Sequence, residues 1–272
     1  MNQLIGNLEK MITSCPSNGG LVEYSLTMNG EAKLPLNSLL GKKISWSYQG
    51  QINCIHCGAR TKKAVGQGSC WPCFNNLACN DLCIMKPETC HYANGTCRQP
   101  KWADEHCMTD QALYLARSSG VKIGITRGGN HLTRWADQGA SEALVLGLFP
   151  SRLDVGKAEK AISSSGISDR TGWQKMLKHD VADTAFEPII EQVHEILTDE
   201  QKQFLLETPQ TIQLEYPHLQ WPTKVKSVKL DKVPIYTATL IAIKGQYLIF
   251  DTNEVFNIRA HSGYNIAFSW ED

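Results

Sequence analysis

Two cysteine pairs, CIHC and CWPC, constrain this chain more than any other feature. Cys54 and Cys57 are separated by two residues, as are Cys70 and Cys73, and twelve residues lie between the pairs. That spacing lets both sulfurs of a pair, and the backbone N–H groups between them, close around one ion. Two such knuckles complete a tetrahedral zinc site. Gly58 follows the first knuckle, where a left-handed residue is often needed.

Nine of the ten cysteines fall between Cys54 and Cys107, and Cys15 stands apart. The opening stretch MNQLIGNLEKMITSC lacks the basic head and continuous apolar core of a secretory signal. No apolar run approaches the roughly 20 residues that span a bilayer. The reading is a cytoplasmic protein without a membrane partner. Thiols stay reduced there, so a cysteine-dense segment implies metal rather than disulfides.

The second cysteine group is CNDLCIMKPETCHYANGTCRQPKWADEHC, which also carries His91 and His106. Its spacings are irregular. The expectation is a second site from Cys83, Cys90, Cys97 and Cys107, with Cys79 spare. Zinc is favoured over an iron–sulfur cluster, whose cysteines are also irregularly spaced, and over free thiols. The whole segment has few large aliphatic residues and many Gly, Asn and Pro, so apolar area alone does not fold it. Metal binding supplies the missing energy. Four thiolates leave no open coordination position, so both sites read as structural.

After the cysteines comes DQALYLARSSGVKIGITRGGNHLTRWADQGA. ALYLAR and VKIGIT alternate, with SSG as the turn between them. Folding the hairpin puts Leu113, Leu115, Val121, Ile123 and Ile125 on one face. Tyr114, Lys122, Gly124 and Thr126 share the other, where the glycine leaves open space beside the tyrosine ring. A helix capped by Asn130 carries Arg134. ALVLGLF is a buried strand, and a helix with a capping box from Ser151 to Asp154 carries Glu159 beside its apolar stripe. Net charge is zero, with 27 basic and 27 acidic residues, so any case for nucleic acid is local. Residues 111–136 hold Arg117, Lys122, Arg127 and Arg134 and no acid.

The order ALY, KIG, Arg134 and Glu159 resembles the GIY-YIG nuclease superfamily, in the branch whose second motif reads IGxT, here Ile123 to Thr126. Taken whole, the chain is similar to the uncharacterised bacterial family domain of unknown function 2797. The stretches CIHCG, CWPCF, CIMKPETCH, GTCRQP, VKIGITR, RWADQGA and IKGQYLIF carry that similarity. The nuclease resemblance covers roughly residues 110–180. It implies that Tyr114 helps deprotonate a nucleophile, Arg134 steadies a phosphate and Glu159 holds a divalent metal, Mg2+ or Mn2+. Lys122 stands where that superfamily has its second tyrosine. A lysine is normally protonated and needs burial or cationic neighbours to act as a base; otherwise it binds phosphate as a point charge.

Elsewhere, Leu4, Ile5, Leu8 and Met11 sit at helical spacing, and VEYSLTM and KISWSYQGQINC read as strands. Residues 183–207 read as helical, with a capping box at Thr198 and Gln201. The stretch YPHLQWPTKVKSVKLDKVP reads as a lysine-rich linker. Short strands follow to the C-terminus and are expected to pair with the N-terminal ones. The predicted class is α+β: a GIY-YIG-like α/β domain, a zinc-ribbon insertion and an antiparallel β accessory domain from both termini. The boundaries are 1–53 for an N-terminal helix and strands, 54–109 for the metal region, 110–207 for the α/β domain and 208–272 for the linker and C-terminal sheet. The expected function is action on nucleic acid, DNA or RNA, by a divalent-metal-dependent endonuclease. Arg117, Arg127, Lys62 and Lys63 are candidate backbone contacts. The alternative is a non-catalytic zinc protein that binds nucleic acid or a nucleoprotein partner.

Overall fold

The computed structural model describes residues 2–30 and 32–271. The protein is α+β and folds into two compact units. Met1–Asn75, Ala136–Gly139 and Glu215–Asp272 form the first unit; Asn76–Trp135 and Ala140–Leu214 form the second.

The main sheet of the first unit is assembled from both ends of the chain. Its strand order is Asn2–Asn7, Tyr264–Trp270, Lys43–Asn53, Ile235–Lys244, Tyr247–Phe250, Glu254–Asn257 and Lys226–Val228. Arg60–Thr61 adds a short partner to Lys43–Asn53. The pairings are antiparallel except the last, where Lys226–Val228 runs parallel to Glu254–Asn257. That strand forms inside the stretch read as a linker, and Lys226 is held at 3.0 Å from Glu254.

Alternation explains the burial. Ile44 and Trp46 of Lys43–Asn53 face the core while Lys43 and Ser45 do not. The Trp46 ring stacks on Tyr236 and Phe256, with centroids 4.5 and 4.4 Å away. A second sheet of Ile12–Ser14, Glu23–Met28 and Ala32–Pro35 completes this unit.

The helix expected at the N-terminus is not formed. Asn2–Asn7 is a strand, and all six of its residues are in register with Tyr264–Trp270. The spacing of Leu4, Ile5, Leu8 and Met11 is compatible with a helix, but a long-range ladder satisfies the same backbone groups and overrides that weak local preference. Ile5 ends up exposed, whereas Leu8 and Met11 are buried beyond the strand.

In the second unit, Ile212–Glu215, Glu142–Phe149, Gln111–Arg117 and Val121–Arg127 pair in that order, all antiparallel. Leu113, Leu115, Ile123 and Leu144 from this sheet pack with Val155, Ala158 and Ile162 of helix Arg152–Ser164 and Val193 of helix Glu187–Ile196. Ser151 caps the first of these helices by accepting from the Asp154 N–H at 3.2 Å. The Thr198–Gln201 capping box is also formed.

One polar group in the first unit sets a pH dependence. Lys244 is fully buried, with its ammonium 5.1 Å from the Tyr216 ring centroid and 5.3 Å from that of Trp221. The rings attract the charge, but burial dominates and brings the amine down to about 7. An unfolded lysine titrates near 10.4. Between those values the unfolded chain holds the extra proton, so stability rises with pH from about 7 to about 10. Chemical denaturation across that range is expected to show this rise. Lys244→Met is expected to flatten it and to be the more stable protein on the acid side.

Candidate metal centre and hairpin site

The first knuckle is delivered by the sheet. Strand Lys43–Asn53 ends one residue before Cys54, whose N–H donates to the Ala59 carbonyl at 2.9 Å. The Gly58 N–H donates back to the Cys54 carbonyl at 2.9 Å, and Gly58 takes the left-handed φ of +70°. This turn brings the Cys54 and Cys57 sulfurs together. For the second knuckle, Val65 and Ser69 exchange backbone bonds of 2.8 and 2.9 Å, and Cys70 then leads into helix Trp71–Asn76.

The two knuckles are tied by Ile55 N–H donating to the Gly68 carbonyl at 3.0 Å. Gly68 has φ +120°, and a Cβ there would lie 2.8 Å from Ile55. All four sulfurs lie within 4.8 Å of one another, and those of Cys57 and Cys70 are 3.7 Å apart. Tetrahedral zinc with bonds of about 2.3 Å places sulfurs about 3.8 Å apart. Burial alone would raise the Cys54 thiol, but backbone N–H groups of Cys70, Cys57 and His56 bring it down, while the neighbouring sulfurs push Cys70 and Cys73 up, since four negative sulfurs this close repel one another unless a cation lies between them. The thiolate is the form that binds metal. Cys54, Cys57, Cys70 and Cys73 are therefore a set compatible with Zn2+, with all four positions filled by protein.

The second cysteine group is arranged differently. Cys83, Cys90, Cys97 and Cys107 line one small cavity, together with Asp81 and His91. The tight donor cluster among the described residues is Asp81, Cys83 and His91, within 4.8 Å. Asp81 is also held by Arg98 at 2.7 Å. Cys79 does not line the cavity, and Cys15 is in the other unit.

In the hairpin, Tyr114 pairs with Gly124 and Ala116 with Lys122. The space beside the tyrosine is not open. The Tyr114 ring is fully buried against Trp135 and covers Gly124, where a Cβ would lie 2.5 Å from the phenol oxygen. The glycine accommodates the ring rather than a ligand.

Lys122, Arg134 and Glu159 come from a strand and two helices, and each is partly buried within the electrostatic reach of the others. Burial, reinforced by Arg134, holds the Lys122 amine down at about 8 against the pull of Glu159 and Asp169. Burial pushes the Glu159 carboxyl up, with Asp169 adding to it, while Arg152, Lys122 and Arg134 oppose.

Arg152 escapes a reading based on family motifs. The available signal is spacing: seven residues before Glu159, it lies two turns away on the same helix face. Its Nη2 donates to the Ile84 carbonyl at 2.8 Å, while its buried Nε has no hydrogen-bond partner among the described residues.

The candidate backbone contacts are divided between the two units. Arg117 is paired with Glu142 of the neighbouring strand at 3.2 Å and lies over the Phe186 ring. One of the four charges that made the segment look basic is thus neutralised across the sheet. Arg127 is exposed at the strand end, and Lys62 and Lys63 are exposed in the other unit.

Fold and cysteine cluster together define an α+β protein with a zinc-compatible centre of four cysteines. The sequence model of one family, described as Protein of unknown function (DUF2797), matches residues 41–266, and the chain belongs to that family. No curated protein and no solved structure matches it. Among the described residues, no helix is long and apolar enough to cross a membrane.

Two outcomes follow. Gly124→Val is expected to force the Tyr114 ring out of place at a cost of about 1–3 kcal/mol, read from chemical denaturation. Cys57→Ser with Cys73→Ser is expected to abolish zinc at the first centre and to raise proteolytic cleavage within residues 54–76, since backbone hydrogen bonds such as Ile55 N–H to the Gly68 carbonyl would then hold the two knuckles together without the ion.

Proposed function

We propose that the protein binds the phosphodiester backbone of nucleic acid through Lys122 and Arg134, with Arg152 adding to their positive field. One observation carries this reading. Lys122, Arg134 and Glu159 lie in one another's field, partly buried, yet none makes an ion pair with another among the described residues. Half-buried charges that are not consumed by each other favour an ionic ligand between them. The Arg152 guanidinium, anchored by Nη2 on the Ile84 carbonyl, adds positive field behind the pair. The motif order that resembles GIY-YIG nucleases supports the same face.

Binding is preferred over cutting because of two side chains. Tyr114 is fully buried, which removes it from contact with a substrate in this conformation. Lys122 occupies the second tyrosine position, where it offers a cation and no phenol. Glu159 favours a second reading, metal-assisted phosphodiester cleavage. A carboxylate beside three cations is placed to hold Mg2+ or Mn2+, which would act as a Lewis acid on the phosphoryl group.

The test is fluorescence anisotropy with labelled single- and double-stranded DNA and RNA over a salt series. Wild type is expected to bind with an affinity that falls linearly in log–log form with salt. Lys122→Ala and Arg134→Ala should each weaken it by about tenfold and reduce the salt slope by about one. Arg117→Ala, whose charge is already paired, should not. Undiminished binding by the Lys122 and Arg134 variants would overturn the assignment. Cleavage with Mg2+ or Mn2+ that disappears in Glu159→Gln would promote the second reading.

A further inference from the structure

We propose that a second structural zinc ion is bound in the second unit by the thiolates of Cys83, Cys90, Cys97 and Cys107. The case begins with what the segment buries. Residues 77–109 form only short helical pieces: Ala78–Asn80, Leu82–Met85, Pro87–Thr89, Tyr92–Asn94 and Pro100–His106. Their buried residues are Ala78, Pro87, Ala103 and Cys107. The larger apolar side chains Leu82 and Met85 are 61% and 81% exposed. With Leu82 and Met85 turned to solvent and Leu77, Ile84 and Trp102 only half-buried, the segment has little apolar core of its own. Such short helices do not stand by themselves. Something other than apolar area holds them, and four thiols lining one cavity are the available means.

The four cysteines are also spread over the segment in a way that a single ion would exploit. Cys83 sits in the second helical piece, Cys90 just after the third, Cys97 after the fourth and Cys107 at the end of the fifth. One tetrahedral centre would cross-link four of the five pieces. Asp81 and His91 are close enough to compete as ligands. Asp81, however, is engaged by Arg98 at 2.7 Å, and the His91 Nε2 faces that same carboxylate at 3.6 Å, while the four sulfurs line the cavity more widely spaced than those of the first centre and would draw in around an ion. They flank the centre, and the softer thiolates complete it.

The segment it would stiffen supports the helix that carries Glu159. The Cys107 carbonyl accepts the Arg152 N–H at 2.7 Å, and the Ile84 carbonyl accepts the Arg152 guanidinium. Gly156 packs so tightly on Pro87 that a Cβ would lie 2.6 Å from it. Loss of the ion would therefore be felt at the first turns of helix Arg152–Ser164.

The experiment counts metal in the full-length protein, so its outcome is independent of whether nucleic acid binds. Elemental analysis with native mass spectrometry should find two zinc ions per chain in wild type. One should remain in Cys90→Ser with Cys97→Ser, one in Cys57→Ser with Cys73→Ser, and two in His91→Ala. Because a cysteine variant can misfold, wild type is also alkylated with iodoacetamide before and after chelation. Cys83, Cys90, Cys97 and Cys107 should be protected until zinc is removed. One zinc per chain with those four thiols freely alkylated would overturn the proposal. Iron in place of zinc would do the same, as would His91→Ala losing an ion that Cys90→Ser with Cys97→Ser retains.

Discussion

The hydrogen-bonded ladder of strand Lys43–Asn53 is the constraint on which the first unit depends. It pairs on one side with Ile235–Lys244 and on the other with Tyr264–Trp270, partners that lie near the far end of the chain. Closing such long loops costs entropy that only a well-filled interface offsets. Trp46, stacked between Tyr236 and Phe256, is the central piece of that interface. The same strand then runs straight into Cys54. The position of the first thiolate is thus inherited from a sheet held by residues some two hundred positions away, and the zinc-compatible cluster stands on a rigid element.

A different balance governs the second unit. Its sheet and helices pack an ordinary aliphatic core, while the segment before it buries almost none. On the polar side of helix Arg152–Ser164, charges are brought into partial burial without being paired off. The Arg117–Glu142 ion pair, largely shielded from solvent, neutralises its own charges across the sheet. Lys122, Arg134 and Glu159 are arranged otherwise: each lies in the field of the others with no close ion pair between them among the described residues.

Much of this was legible along the chain because it rests on local rules. The CxxC spacings, Gly58 in a left-handed turn, the hairpin around Ser118–Gly120, the caps at Ser151 and Thr198 and the C-terminal strands each depend on a few neighbouring residues. The failures share a cause. The N-terminal segment has helical spacing and became a strand because a distant edge was available to pair with it. Gly124 looked like room for a ligand and is room for Tyr114. Arg117 looked like part of a basic stretch and is neutralised by a residue on the next strand. In each case the deciding partner is far away in sequence.

The sequence by itself determined the ligand chemistry of the centre formed by Cys54, Cys57, Cys70 and Cys73, the alternation that sends Tyr114 and Lys122 to one face of the hairpin, and membership of one family. Spacing and side-chain type are sufficient for those, since turn geometry and strand pleat are local. Only the tertiary structure decided that Tyr114 is enclosed, that Arg152 joins Lys122, Arg134 and Glu159, and that the second set of cysteines surrounds one cavity. Burial and the field between charges depend on distance in space, which residue order does not specify.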